Sequence, residues 1–183
     1  MQEKAWQDKN VYTLNLIKQI NPIPDLVNKI KTLLPNISSS EITTILTELY
    51  NNSVDHGLLN LSSEIKTEQG LEKYYQIRKD KLNALTKGSV VLTLAYEPID
   101  QILTIHIIDS GVGFDYKKYT AMPLMLHKVS GKGLYIIHRL ADKVDYRNSG
   151  TDISVRYKVR TAEELPDAQR LTSNNKVSPH SSR

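Results

Sequence analysis

Close to residue 160, Ile153, Val155, Tyr157 and Val159 alternate with Asp152, Ser154, Arg156 and Lys158. This period of two gives a strand one apolar and one polar face, which suits a sheet covered by helices on one side only. Ile102 to Asp109 repeats the pattern, with Leu103, Ile105 and Ile107 on the face that also carries Asp109. Val90 to Tyr96 precedes it across Glu97-Pro-Ile-Asp100, which predicts an antiparallel hairpin. Val11 to Leu16 and Val144 to Tyr146 add two short strands, the latter joined to the last one over Asn148-Ser-Gly150.

The helical segments lie between these strands. Leu26, Val27, Ile30, Leu33 and Leu34 recur at helical spacing after two prolines and stop at Pro35. Ser38, Ser39 and Ser40 offer N-caps to a second helix, whose stripe is Ile42, Ile45, Leu46, Leu49 and Ser53 and whose end is expected at Gly57. Leu134, Ile137, Leu140 and Ala141 mark a further long helix. The expected fold is α+β: a two-layer α/β sandwich with helices on one face of a mixed, mainly antiparallel sheet.

The chain of 183 residues is expected to form one domain over 1–160, followed by a polar and disordered tail over 161–183. Residues 58–88 read as a charged amphipathic insert with Ile65, Leu71, Tyr74, Tyr75, Arg78, Leu82 and Leu85, interrupted near Gly70. The absence of cysteine excludes thiol chemistry and zinc ribbons and fits a reducing compartment, so a soluble, cytoplasmic protein is expected. No apolar run approaches the roughly 20 residues of a membrane span, so no membrane partner is expected. The 24 basic residues are interspersed with 20 acidic ones, which argues for a solvated surface and against direct nucleic-acid binding.

Three fragments carry chemistry. In Glu48-Leu-Tyr-Asn-Asn52-Ser-Val-Asp-His56-Gly57, Glu48, Asn52 and His56 share one helix face at the shoulder of the core. Asn52 can offer an amide oxygen to Mg²⁺, and Glu48, one turn away, can take a proton from a hydroxyl. A hydrogen-bonded Asn and a surface Glu are the plain alternative for this helix taken alone. His56 is read as satisfying the carbonyls at the helix end.

The second fragment is Asp109-Ser-Gly111-Val-Gly113-Phe114. A carboxylate on the buried face needs a partner, and an adenine amino group is a suitable donor; Gly111 and Gly113 let the backbone turn and come close to a ligand, or form an ordinary turn. The third is Gly131-Lys132-Gly133-Leu134, where free N–H groups at a helix start can meet phosphates, with Lys128 and Lys132 adding charge. The 17 residues between Gly113 and Gly131 are expected to form a lid, packed shut by Phe114, Tyr116, Tyr119, Met122 and Met125.

Glu-x-x-x-Asn followed by His-Gly, Asp-x-Gly-x-Gly-Phe, and Gly-x-Gly-Leu opening a helix resemble, in that order, the nucleotide boxes of the GHKL superfamily of gyrase, histidine kinases and their relatives. The short lid and the ending Leu140-Ala-Asp142-Lys-Val144-Asp-Tyr146 through Gly150-Thr151 look most like anti-sigma-factor serine kinases of the RsbW and SpoIIAB type. The resemblance spans roughly Val11 to Val159. It implies a Bergerat-type ATP fold in which Asn52 holds Mg²⁺, Asp109 reads adenine, and Glu48 is the catalytic base. Gly111, Gly113, Gly131 and Gly133 would shape the pocket, and Thr151 would sit near the adenine.

Such kinases phosphorylate a serine or threonine of a STAS-domain antagonist and sequester a sigma factor, which makes those proteins, and a second copy of the chain in a homodimer, the implied partners. Two alternatives stand beside this reading: a nucleotide-controlled binding module without kinase activity, and a histidine-kinase-type ATPase domain. The segment 58–88 is longer than in the free-standing kinases. It resembles the ATPase module at the C-terminus of bacterial response regulators that also carry a PP2C-like phosphatase domain, which implies derivation from a larger protein.

Overall fold

The computed structural model describes residues 11–15, 22–117 and 132–160, with side chains from Pro22 onward apart from that of Lys132. The segment expected to be a disordered tail lies outside the described residues, as do Gly131, Lys128 and most of the expected lid.

Five strands form one sheet: β1 (Val11–Asn15), β2 (Val90–Glu97), β3 (Ile102–Asp109), β4 (Lys143–Arg147) and β5 (Asp152–Lys158), in the order β1-β2-β3-β5-β4. Every neighbouring pair is antiparallel, so the expected mixed sheet is corrected to an antiparallel one. The reason is topological. The chain crosses from β3 to β4 through a helix, but β5 folds back between them, so the two strands that run the same way never pair.

Register places the alternation as expected. Leu92 pairs with Ile107 and Leu94 with Ile105, while Ile153 and Val155 flank the same two residues on the other side. All of these are buried, which forms the apolar floor of one continuous core. Each such side chain is worth roughly 1.5–3 kcal/mol when removed from water.

Over that floor lie α1 (Ile23–Leu33), α2 (Ser39–Asn51) and α5 (Lys132–Leu140). Ser38 caps α2, its Oγ accepting the Glu41 N–H at 3.4 Å, and Ile42, Ile45, Leu46 and Leu49 turn onto the sheet. In α1 the buried stripe is Ile23, Leu26, Val27 and Ile30. Leu33, expected in that stripe, is 45% exposed, because the helix ends there and the chain turns so that Leu34 enters the core instead.

The second helix does not stop at Gly57. It widens into a π-helical turn, Asn52–Leu58, in which the Leu59 N–H reaches the Val54 carbonyl at 2.9 Å. The insert follows as α3 (Ile65–Glu68) and α4 (Gly70–Ala84), with Gly70 at φ +85° making the break between them. Of the apolar residues expected to give α4 its buried face, Tyr74 is buried, whereas Leu71 and Tyr75 are 59% and 60% exposed.

Candidate functional site

The π-turn sets the geometry of the site. Such turns shift the side chains that follow them and occur often at functional positions. Here the wider turn carries Asn52, Asp55, His56 and Gly57 past the end of β3, where Asp109 is buried. The contact between the two is very close: a methyl group at Gly57 would lie 2.6 Å from Asp109 Oδ1. Gly57 therefore serves as the gap that admits the carboxylate, and not as a helix terminator.

Asp109 is only 7% exposed, and burial raises its pKa. The Gly111 N–H donates to Oδ1 at 2.9 Å, and this bond and the neighbouring Ser53 pull the other way without cancelling the effect. Ser53 Oγ itself meets no partner of good hydrogen-bond geometry among the described residues. An acid so placed has lone pairs beyond the one that Gly111 uses and can accept from a donor brought to it.

The glycines after Asp109 face protein more than open space. A methyl at Gly111 would fall 2.0 Å from the Gly57 carbonyl oxygen, and one at Gly113, whose φ is +78°, would fall 2.3 Å from that of Ser149. Gly111 thus interlocks the end of β3 with the π-turn, and Gly113 seats the following loop on the β4–β5 turn. Phe114 continues that seat, its N–H bonded to the Ser149 oxygen at 2.8 Å, and the Tyr116 ring stacks on Tyr146 at 4.5 Å. Tyr119, Met122 and Met125, expected to close the lid, lie outside the described residues.

Beside this framework opens a cavity of about 580 Å³, a size common for small-ligand sites. Glu48, Asn52 and His56 line it from the α2 side, Gly133 and Leu134 from the first turn of α5, and Gly113 and Phe114 from the loop after β3. Residues of all three fragments thus line one cavity. Asp109 sits behind Gly57 and does not line this cavity among the described residues. Thr151 is tied to Asp109 through the backbone, its carbonyl accepting the Asp109 N–H at 2.9 Å, while its hydroxyl donates to the Asn148 carbonyl. Lys132 belongs to α5, and its side chain lies outside the described residues.

Glu48 faces the start of α5 so closely that a methyl at Gly133 would lie 2.1 Å from its Oε2. Burial raises the Glu48 pKa, and Lys66 partly offsets the shift. A carboxylate of raised pKa is a stronger base, the direction proton abstraction needs. The Asn52 amide nitrogen is buried and has no partner among the described residues, and the amide can turn to present either end. An orphaned amide, a glycine at a helix start and a half-buried carboxylate fit a phosphate-bearing ligand with a hard cation. His56 does serve a carbonyl, though a later one than the helix end: Nδ1–H donates to Leu61 O at 2.7 Å.

The expected site residues left out the insert. Asn60, Leu61, Ser62, Ser63, Lys66 and Tyr74 also line the cavity. The insert's anchor is Asp55, buried on the π-turn, which accepts from Tyr74 Oη at 2.7 Å and from Arg78 Nε at 2.6 Å. Lys81 Nζ adds a bond to the Leu59 carbonyl at 2.8 Å. The i, i+4 spacing of Tyr74 and Arg78 was a visible signal; nothing in the spacing pointed to Asp55 as the shared acceptor.

No helix among the described residues is long and apolar enough to cross a membrane. No curated protein matches the chain. A family model described as a histidine kinase-like ATPase domain matches residues 25–157, a span that runs from α1 to the end of β5. The antiparallel sheet with helices on one face agrees with that family's architecture, and the chain belongs to the histidine kinase-like ATPase domains, which are ATP-binding modules.

Proposed function

We propose that the domain is a protein serine/threonine kinase that uses ATP and Mg²⁺, acting as the anti-sigma factor of a partner-switching pathway and phosphorylating a STAS-domain antagonist. The observation that carries the reading is the meeting of Glu48, Asn52 and Gly133 in one cavity, with the acid half-buried between two helices. Asp109 would accept from the adenine amino group, and the N–H groups at the start of α5 would hold the phosphates. Asn52 would hold Mg²⁺, which when bound supplies neutralisation of phosphate charge.

The transfer joins a serine or threonine oxygen of the partner to the γ-phosphorus and breaks the bond from that phosphorus to the β–γ bridging oxygen, so that ADP leaves. Glu48 takes the hydroxyl proton. Its raised pKa is the direction this needs, and the insert and the loop after β3 line the same cavity.

The test is transfer of label from γ-labelled ATP to a STAS-domain protein, run with wild type and Glu48→Gln. The expected result is label on a serine or threonine with wild type and a loss of about 10²- to 10⁴-fold in the variant, with ATP affinity retained. Equal behaviour of the two, or no label despite ATP binding, would leave a nucleotide-controlled binding module as the better reading.

A further inference from the structure

We propose that the insert supplies a terminal-phosphate contact, Lys66, so that segment 58–88 is one wall of the nucleotide site and sets its preference for a triphosphate. This rests on the ATP reading of the same cavity. Among the described residues that line the cavity, Lys66 is the only lysine or arginine, although a nucleoside triphosphate with one divalent cation still carries net negative charge. Lys66 faces Glu48 across the space that also holds Asn52 and Gly133.

Its position is enforced by a relay that begins three residues after Asn52. Asp55 is held by Arg78 and fixes the Tyr74 hydroxyl, and the Tyr74 ring lies under Lys66 Nζ at 4.2 Å to its centroid. A cation over an aromatic face is attracted by the ring quadrupole but keeps its three N–H donors. The Lys66 backbone N–H donates to the Ser63 carbonyl, but its ammonium makes no hydrogen bond or ion pair among the described residues, so those donors are available to phosphate oxygens. The contact joins insert and nucleotide without any group from the sheet.

The measurement is the affinity of the whole chain for ATP, ADP and adenosine with Mg²⁺, by calorimetry, for wild type, Lys66→Gln and Lys66→Arg. Lys66→Gln should weaken ATP about 10- to 100-fold, the range for one charge-assisted hydrogen bond, and ADP less. Adenosine should be unchanged, and Lys66→Arg should retain most of the ATP preference. If Lys66→Gln weakens all three ligands equally, or none, while wild type binds ATP, the contact is refuted and the ATP site stands. If wild type binds none of them, both readings fall. A thermal melt of each variant separates lost contact from lost fold, and Lys66→Arg tests the contact should Lys66→Gln unfold.

Discussion

Gly111 and Gly133 present nearly the same steric fact at the two ends of the site. A methyl would approach a neighbour to 2.0 Å at the first and 2.1 Å at the second. The neighbours differ in kind. Gly111 abuts the carbonyl of Gly57, a backbone atom held between the π-turn and β3, whereas Gly133 abuts the end of the Glu48 side chain. The framework around Asp109 is built of backbone against backbone and has no means to yield. The wall at Gly133 is the end of the Glu48 side chain, which can rotate away. The first region ties the site to the stability of the fold; the second can vary in chemistry at little structural cost.

Three substitutions sharpen the contrast. Gly111→Ala should lower stability by about 3 kcal/mol or prevent folding, since overpacking against backbone atoms forces the end of β3 and the π-turn apart; a urea titration that left the midpoint near wild type would refute the interlock. Asp55→Ala should cost about 2–3 kcal/mol by stripping Tyr74 and Arg78 of their acceptor, less than a fully buried pair because Arg78 reaches solvent. The same variant should expose α4 first in hydrogen exchange, while the β2–β3 amides keep their protection. Gly133→Ala should leave the melting point within a few degrees, as alanine favours a helix by up to about 1 kcal/mol, yet impair phosphotransfer by displacing Glu48. A loss of fold in that variant would remove the distinction between the two ends.

The smallest effect concerns charge. Burial raises the Asp109 pKa above its ordinary value, so stability associated with its protonated form is present in full below that ordinary value and is lost as pH rises through the raised native one. Asp109→Asn should therefore be more stable than wild type at neutral pH, with a flatter stability profile as pH rises above the ordinary carboxylate value. The Gly111 N–H keeps an oxygen acceptor in that variant. Nucleotide affinity should fall nonetheless, and parallel urea and calorimetric titrations across that pH range would decide both halves of the expectation.

Much of this arrangement could be read along the chain. Period-two alternation put Asp109 on the same face as Leu103, Ile105 and Ile107, and its pairing with Val90 of β2 and its burial place it there. Four-residue spacing put Glu48 and Asn52 on one side of α2, and both line the cavity. These features are local: they follow from the pitch of a helix or the pleat of a strand within one segment.

Other features depended on which segments meet. Gly57 looked like a helix stop because glycine often is one, yet it lies inside a π-turn and makes room for an acid fifty-two residues later. Gly111 was open to a close ligand approach or an ordinary turn, and the fold sets it against the Gly57 carbonyl. The sheet was expected to be mixed, and only the return of β5 between β3 and β4 made it antiparallel throughout.

The insert shows the division most plainly. Its sequence alone determined a charged helical segment broken near Gly70, because propensity, periodicity and a glycine with positive φ act over a few residues. That the segment turns back, spends Tyr74 and Arg78 on Asp55, and leaves Lys66 over the cavity was decided by the tertiary structure. A buried carboxylate is satisfied by whichever donors the fold brings within about 3 Å, and that distance is a property of the packed chain that no local pattern encodes.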